Sequence, residues 1–317
     1  MELARYILKK LVYGIPLFLG VTSISFLLMV YFGSDVTYAL LGKNATQSDL
    51  DNIRHQLGYN LSVFQRYIYY LGEVLRCDFG HSSLNQEKIS DIFARAIPIS
   101  IAVNLPGFVI GNALAILLSL LAAYHRGQWQ DKIVMVASSI GMSMSFLIVI
   151  IGCQVVLCSS RGLNLFPVQG WEMGTVSSYL SHIFVPTLAT IFVSLGYNMR
   201  FFRAIMVEET KKSYVRSAFS FGWPPHRVMF KAVLRNSLVP ILTRLIFSIP
   251  FIFVEGSLLI ESFFGIPGMG GVTYNAIVSG DLPILKAVVS IGTVLYVVIL
   301  VLADVVYKIV DPRVTLT

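Results

Sequence analysis

Histidine, cysteine and acidic side chains are the groups in this sequence most able to bind a metal or transfer a proton. The five histidines are scattered, and none has the spacing of metal ligands: His55, His81, His125, His182 and His226. The sequence contains no His-Glu-x-x-His motif, no Gly-x-Ser-x-Gly motif and no paired aspartates in an apolar run. We therefore expect no catalytic residue, no metal site and no cofactor bound by this chain.

The three cysteines do not form a metal-binding or redox motif either. Cys77, Cys153 and Cys158 lack the Cys-x-x-Cys or Cys/His spacing that zinc requires. Cys153 and Cys158 fall in an apolar run, where a small apolar side chain fills space. A bridge between Cys77 and Cys158 stays open as an alternative.

Long uncharged runs separate the few polar segments and place the chain in a membrane. Of its 317 residues, 56% are hydrophobic and 13% are charged, against about 25% charged in soluble domains. A bilayer-spanning helix needs about 20 apolar residues. We predict an all-α integral membrane protein with six spanning helices, at residues 11–32, 96–124, 133–158, 181–201, 239–260 and 285–307. The first run exceeds the apolar region of a signal peptide, about 7 to 15 residues, so we expect a retained anchor.

The distribution of lysine and arginine predicts the orientation of these helices. Most of the 24 basic residues fall in segments that share one side if the N-terminus lies inside. The prediction is therefore N-in and C-in, with a cytoplasmic loop at 202–238 and a cytoplasmic tail at 308–317. The net charge of +7 is then a topology signal, which argues against nucleic acid as a partner.

The longest segment outside the predicted spans covers residues 33–95. It reads as a small helical subdomain that rests on the outer face of the membrane, and with the first span it forms a region at 1–95. Thr46 or Ser48 can begin one helix. The apolar spacing predicts inward faces for that helix and for a following one, through Leu50, Ile53 and Leu57 and through Phe64, Ile68 and Leu71. We expect a packed lid without a ligand of its own.

A glycine-rich segment, "ESFFGIPGMGGVTYNAIVSGDLP", follows the fifth predicted span at residues 261–283. Four glycines and Pro267 fall within seven positions, which predicts that the stretch is not a regular helix. Irregular backbone does not face lipid, so we expect it at the interface or beside a water-filled cavity. It lacks the Gly-Lys-Ser/Thr ending of a phosphate-binding loop.

A basic segment, "YVRSAFSFGWPPHRVMFKAVLRNSLVP", occupies residues 214–240 in the predicted cytoplasmic loop. At 100° per residue, Tyr214, Ala218 and Phe221 share one face of a short helix, with Val215 and Gly222 at its margin. Lys212 and Arg216 lie opposite. Gly222 is placed to end the helix in the left-handed conformation, and two prolines prevent its continuation. A second helix then carries three basic residues at intervals of four: Arg227, Lys231 and Arg235.

Two interpretations of this segment follow from composition and topology. One is a surface helix held by anionic lipid, at about 1 kcal/mol for each basic residue. The other is a rigid knob that a cytoplasmic partner grips, which the glycine stop and the return into the membrane favour.

Several segments resemble the permeases of ABC importers, in the oligopeptide/dipeptide/nickel branch of that family. "RSAFSFG" followed by "LRNSLVP" is similar to the coupling-loop signature Glu-Ala-Ala-x3-Gly: Ala218 and Gly222 fit it, and Arg216 and Ser217 replace its first two residues. "RYILKKLVYGIPLFLGVTSISFLL", "LGYNLSVFQRYIYYL", "IESFFGIPGMG" and the final "DPRV" resemble other segments of this branch, in the same order. The outer segment departs from the family at "FGSD" and "LGYNLS".

The resemblance implies a type I permease fold with a transmembrane core over 96–307 in a bacterial inner membrane. It implies a second permease, two cytoplasmic ATPases that use ATP and Mg, and a periplasmic or lipid-anchored substrate-binding protein. The implied solutes are peptides, microcin-like peptides or nickel complexes. The implied ATPase contacts are Tyr214, Val215, Arg216, Ser217, Ala218, Phe219 and Gly222. A periplasmic gate loop is expected at Glu261, Pro267, Gly268 and Gly270.

A secondary transporter is the alternative from another functional class. Ion-coupled carriers usually need ionisable groups near the midplane, and the candidates here are Glu255, His182 and Asp304. Glu255 could equally be a polar anchor that faces the helix bundle, and no inverted repeat is visible in the hydropathy.

Overall fold

A computed structural model of this chain shows regular structure that consists of helices. It describes residues 2–32, 60–76, 78–160, 162–250 and 258–310. Within those ranges there is no β-strand, only an isolated antiparallel bridge between His81 and Lys88. The predicted all-α class is therefore confirmed. Four features of the sequence analysis lie outside the described residues: the helix start at Thr46 or Ser48, Cys77, Glu255 and the side chain of Asp304.

The helices are numbered here in chain order. The first six are α1 (Glu2–Phe32), α2 (Val63–Leu75), α3 (Ile89–Tyr124), α4 (Trp129–Ser143), α5 (Phe146–Cys153, continued by a π-helical turn Gln154–Cys158) and α6 (Val176–Thr210). The rest are α7 (Ser213–Ser220), α8 (Pro225–Val228), α9 (Arg235–Pro250, joined to α8 by a π-helical turn Met229–Leu234), α10 (Leu258–Phe264), α11 (Met269–Ser279) and α12 (Leu282–Val310).

Four of the described helices are long and apolar enough to cross a membrane: α3, α6, the continuous helix Pro225–Pro250 and the stretch Leu282–Ala303 of α12. The pair α4 and α5 passes the same test only together. In α1 the apolar stretch is Val12–Leu28, which is shorter. These helices confirm an integral membrane protein, whereas the count of six spans and the N-in orientation stay predictions.

One predicted span differs from the helices found, and another continues a helix that begins before it. The segment predicted as one helix at 133–158 is bent by 96° between α4 and α5. The bend arises because Met144 and Ser145 take extended ψ angles of 131° and 136°, which interrupts the helical hydrogen bonds. The second predicted helix of the basic segment continues from Pro225 into the span predicted at 239–260 and is helical as far as Pro250.

The chain divides into two compact units. The first comprises Met1–Ser100, Phe253–Ser262 and Pro267–Leu302. Its core joins the start of α3 to α11 and α12 through a cluster of buried apolar side chains: Ile89, Phe93, Ala96, Met269, Ala276, Ile284, Ala287 and Val288. This cluster holds the glycine-rich segment against two longer helices.

Helix α2 belongs to the first unit and packs through a face other than the predicted one. Ser62 caps it with a reciprocal hydrogen bond to Gln65. Phe64 and Ile68, predicted to face inward, are 71% and 54% exposed. Tyr67 and Tyr70 lie on the packed side instead, where both rings contact Phe26 of α1. The hydroxyl groups account for the packing of this face, because each has a hydrogen-bond partner there: Ser23 for Tyr67 and Ser290 for Tyr70.

The second unit comprises Ile101–Ile252, Phe263–Ile266 and Ala303–Thr317. Here α4 and α6 approach so closely that a Cβ on Gly196 would lie 2.8 Å from the carbonyl carbon of Gly141. Asp131 of α4 forms an ion pair with Arg203 of α6. Small residues and a charge pair thus fix these helices together, as is common in membrane bundles.

Candidate functional site

The basic segment folds as a short helix with a defined start and stop. Lys212 precedes α7 in the extended conformation, and its Nζ lies 2.7 Å from Glu209 Oε2 at the end of α6. Gly222 follows the last turn with a φ of +73°, a conformation that glycine adopts at least cost. Pro224 is extended, and Pro225 starts the next helix, where its missing N–H is not needed. The predicted glycine stop and proline restart are confirmed.

The buried face of α7 is centred on Val215 and Ala218. Val215 is 1% exposed and packs in the core of the second unit, which also contains Phe202 and Met206 of α6 and Val233 of the π-helical turn. This corrects the predicted face, because Phe221 is 82% exposed. The helix ends at Ser220, so Phe221 no longer follows the helical spacing that placed it beside Tyr214 and Ala218.

The outward side of α7 carries the remaining predicted contact residues. Tyr214 is partly exposed, and its hydroxyl donates to Glu209. Arg216, Ser217 and Phe219 are exposed, and Arg216 Nη2 donates to the carbonyl of Lys211 at 3.3 Å. The structure therefore separates the seven predicted residues into two that anchor the helix, Val215 and Ala218, and five at its surface.

Three exposed aromatic side chains follow closely along the chain at the end of α7 and are called here the aromatic tip: Phe219, Phe221 and Trp223. They are 44%, 82% and 36% exposed, and Arg227 stacks over the Trp223 ring at 4.6 Å. The sequence prediction included only Phe219. Aromatic residues at every second position across a helix stop were the signal that could have revealed the other two.

The glycine-rich segment contains less irregular backbone than predicted. The chain leaves α10 through Gly265, whose φ is +64°, and re-enters a helix at Met269. The predicted interruption of the helix is found between Phe264 and Met269, whereas Gly270 and Gly271 already belong to the first turn of α11. Their lack of a side chain serves close packing instead: a Cβ on Gly270 would lie 2.8 Å from the Cα of Leu258.

Glu261 organises the start of α11. Its carboxylate is fully buried and accepts hydrogen bonds from the N–H groups of Gly270, at 2.7 Å, and Gly271, at 3.1 Å. Ser100 donates to the other carboxylate oxygen at 2.7 Å and accepts from the N–H of Met269. An acidic group at a helix N-terminus satisfies N–H groups that lack helical partners. Glu261, Gly268 and Gly270 therefore lie together, whereas Pro267 is exposed.

A polar chain crosses the interior of the second unit, and sequence reasoning missed it. Asn198 Nδ2 of α6 donates to Asn112 Oδ1 of α3, and Asn198 Oδ1 accepts from Arg244 Nε of α9, both at 2.8 Å. Arg244 also lies over the Phe201 ring at 4.8 Å. It lines a cavity of about 460 Å³ together with Phe201, Pro240, Thr243, Phe247 and Ser248. Arg244 falls within the span predicted at 239–260, where the sequence prediction assigned it no role.

The residues considered for metal binding or ion coupling show no clustering in the described part of the chain. No three His, Cys, Asp or Glu side chains there are placed to hold a metal ion. His182 Nδ1 lies 2.7 Å from the carbonyl oxygen of Ser178, one turn earlier in α6. Cys153 and Cys158 carry free thiols.

Nearly the whole chain is similar to known proteins of one family. Residues 115–316 match the family described as binding-protein-dependent transport system inner membrane component, and residues 3–104 match its N-terminal family. A dipeptide transport system permease protein of Lactococcus lactis subsp. cremoris is 31% identical over 316 residues, which is 99% of this chain and 100% of that protein. An oligopeptide transport system permease protein of Bacillus subtilis is 27% identical over 98% of this chain and 99% of its own length.

Proposed function

Since the chain belongs to the family of binding-protein-dependent transport system inner membrane components, and is thus a multi-pass ABC transporter permease of the inner membrane, we propose a specific role for it. It forms half of the translocation pathway of an ATP-driven peptide importer. It couples to a cytoplasmic ATPase through residues 212–222. The chain itself hydrolyses no ATP, and that reaction belongs to the partner subunit.

The observation that carries this proposal is that α7 has one buried side and one exposed side. Val215 and Ala218 are buried, whereas the aromatic tip next to them is exposed. Exposed aromatic surface is costly in water and is common at the centre of protein interfaces. The combination fits a helix that is anchored in its own chain and gripped by another. A helix held only by anionic lipid would not need a rigid glycine stop.

The packing of α7 supports a route by which movement reaches the membrane. Val215 and Ala218 share a core cluster with Phe202 and Met206 of α6 and with Val228 and Val233, which precede α9. Close-packed interiors transmit displacement because they contain few voids. A partner that moves α7 would therefore move α6 and the helix Pro225–Pro250 with it.

The relatives support a peptide as the solute, because both compared proteins are named for dipeptide or oligopeptide transport. Nothing comparable supports a nickel complex or a microcin-like peptide. The proposed assembly comprises this chain, a second permease, two ATPases that use ATP and Mg, and a periplasmic or lipid-anchored binding protein. A secondary transporter is disfavoured, because the family is defined by its dependence on a binding protein.

Replacing Gly222 tests the coupling. A Cβ at Gly222 would meet nothing within 4 Å, so only its positive φ restricts the choice of residue. Asparagine tolerates that conformation, and a β-branched residue does not. We expect Gly222→Val to strain the stop by about 1–2 kcal/mol, which corresponds to about a 5- to 30-fold shift in the population of the native turn. Gly222→Asn should behave like the wild type.

The measurement is ATP hydrolysis by the reconstituted complex, stimulated by binding protein loaded with trialanine. The expected result is a reduced stimulation in Gly222→Val, with normal membrane abundance, and a retained stimulation in Gly222→Asn. Full stimulation and uptake in Gly222→Val would show that the shape of this stop plays no part in coupling.

A further inference from the structure

Arg244 is an arginine inside a membrane-spanning helix. It lies within the apolar helix Pro225–Pro250, and through Asn198 it is linked to Asn112 of α3. Asn112 is twelve residues before the end of α3 at Tyr124, which is about 18 Å along the helix axis. A hydrocarbon layer is about 30 Å thick, so the polar chain lies well inside it. Ionisable residues at such depth are costly and usually functional.

The neighbours of Arg244 orient the guanidinium without neutralising it. Nε donates to Asn198 Oδ1, and Asn198 is itself fixed because its Nδ2 donates to Asn112. Asn112 Nδ2 in turn donates to the carbonyl of Phe108 at 2.8 Å. The Phe201 ring lies on one side of the guanidinium plane. All of these partners are uncharged, and no described acidic side chain forms an ion pair with Arg244.

The guanidinium therefore retains donors for a ligand. Arginine has five N–H donors, and among the described residues only the Nε donor has an acceptor. The two Nη groups are the pair that binds a carboxylate in bidentate fashion. The cavity beside Arg244, about 460 Å³, is within the 300–1,000 Å³ typical of small-molecule sites. Its other lining residues are apolar or carry hydroxyl groups.

We propose that Arg244 binds the carboxylate of the transported solute, which for a peptide is its C-terminal carboxylate, as the solute passes through this cavity. The inference rests on the proposed function, since it names the chemical group that the permease recognises. Asn198 and Asn112 are positioning residues that hold the guanidinium in place. The competing explanation is that Arg244 only ties α9 to α6.

Two probes separate these explanations: trialanine and trialanine amide, which lacks the carboxylate. ATP-dependent uptake of each is measured in proteoliposomes that contain the complete transporter, with the same binding protein throughout. Selectivity of the binding protein cancels when the uptake ratio of the two probes is compared between wild type and variant. Hydrogen bonds to charged groups are strong, so we expect Arg244→Gln to lower the ratio of trialanine to its amide by about tenfold.

Arg244→Lys keeps the cation but loses the planar donor pair, so it should retain part of the preference for the carboxylate. Arg235→Gln is the matched control, because Arg235 begins the same helix and is exposed; its ratio should equal that of the wild type. An equal loss of both probes in Arg244→Gln and Arg244→Lys, or an unchanged ratio, would overturn the proposal. Uptake of neither probe by the wild-type complex would instead contradict the proposed peptide transport.

Discussion

Two helix–glycine–proline–helix junctions in this chain use the same backbone device in opposite surroundings. In the predicted cytoplasmic loop, at what is called here the cytoplasmic-loop junction, α7 ends at Ser220 and is followed by Gly222. At the glycine-rich junction α10 ends at Phe264 and is followed by Gly265, and both glycines have a positive φ. A Cβ at Gly222 would meet open space. At the second junction, a Cβ on Gly268 would collide with the side chains of Glu261 and Ser100, and one on Gly270 with the backbone of Leu258. The first junction is therefore open to the surroundings, whereas the second is filled by other groups of the same chain.

The difference shows how one local motif supports two roles. An open stop with an exposed aromatic tip is suited to contact another subunit, whereas a stop filled by a buried carboxylate holds two helices of its own chain together. Substitutions should therefore affect stability at the glycine-rich junction and coupling at the cytoplasmic-loop junction.

The largest effect on stability is expected from Glu261→Ala. It removes the acceptor for the N–H groups of Gly270 and Gly271 and for the Ser100 hydroxyl. Leaving buried donors without partners should lower the free energy of unfolding by about 3 kcal/mol, measured by thermal denaturation in detergent.

Glu87→Ala is the control for Glu261→Ala, because Glu87 forms an exposed ion pair with Arg95 in the same unit. Such pairs contribute at most about 1 kcal/mol. Equal losses of unfolding free energy in the two variants would contradict the assignment of Glu261 as the residue that holds this junction together.

A smaller effect is expected from alanine at the two junction glycines. Gly270→Ala places a Cβ against backbone, which cannot yield as a side chain does, and should cost about 1–3 kcal/mol. Gly222→Ala meets no atom and carries only the penalty of a positive φ, about 1 kcal/mol. Asparagine sharpens the contrast: it should restore stability at 222 and lower it further at 270, as measured by the midpoint of thermal unfolding.

The sequence predicted the features that depend on near neighbours along the chain. Gly222 with Pro224 and Pro225 indicated a helix stop and restart, and the apolar runs indicated most of the spans. It failed where a residue's partner is remote. Glu261 and Ser100 are 161 positions apart, so no spacing could reveal that the glycines of α11 are there to receive a carboxylate.

The helical-wheel prediction also failed for Phe221, because α7 ends one residue before it. Phe221 was placed on one face with Tyr214 and Ala218, yet α7 stops at Ser220 and leaves Phe221 exposed. The same limit applies to Arg244, which falls within the span predicted at 239–260. Its partner Asn198 is 46 positions away, so no spacing could indicate the contact.

The most direct test of the central claim, that the end of α7 contacts the ATPase, is photo-crosslinking. A benzoylphenylalanine is incorporated in place of Phe221, and separately in place of Phe64, an exposed phenylalanine of α2 in the segment predicted to lie outside. The assembled complex is then irradiated in membranes. The account predicts an adduct between position 221 and the ATPase subunit and none from position 64. An ATPase that copurifies with the permease but forms no adduct with position 221 would contradict it.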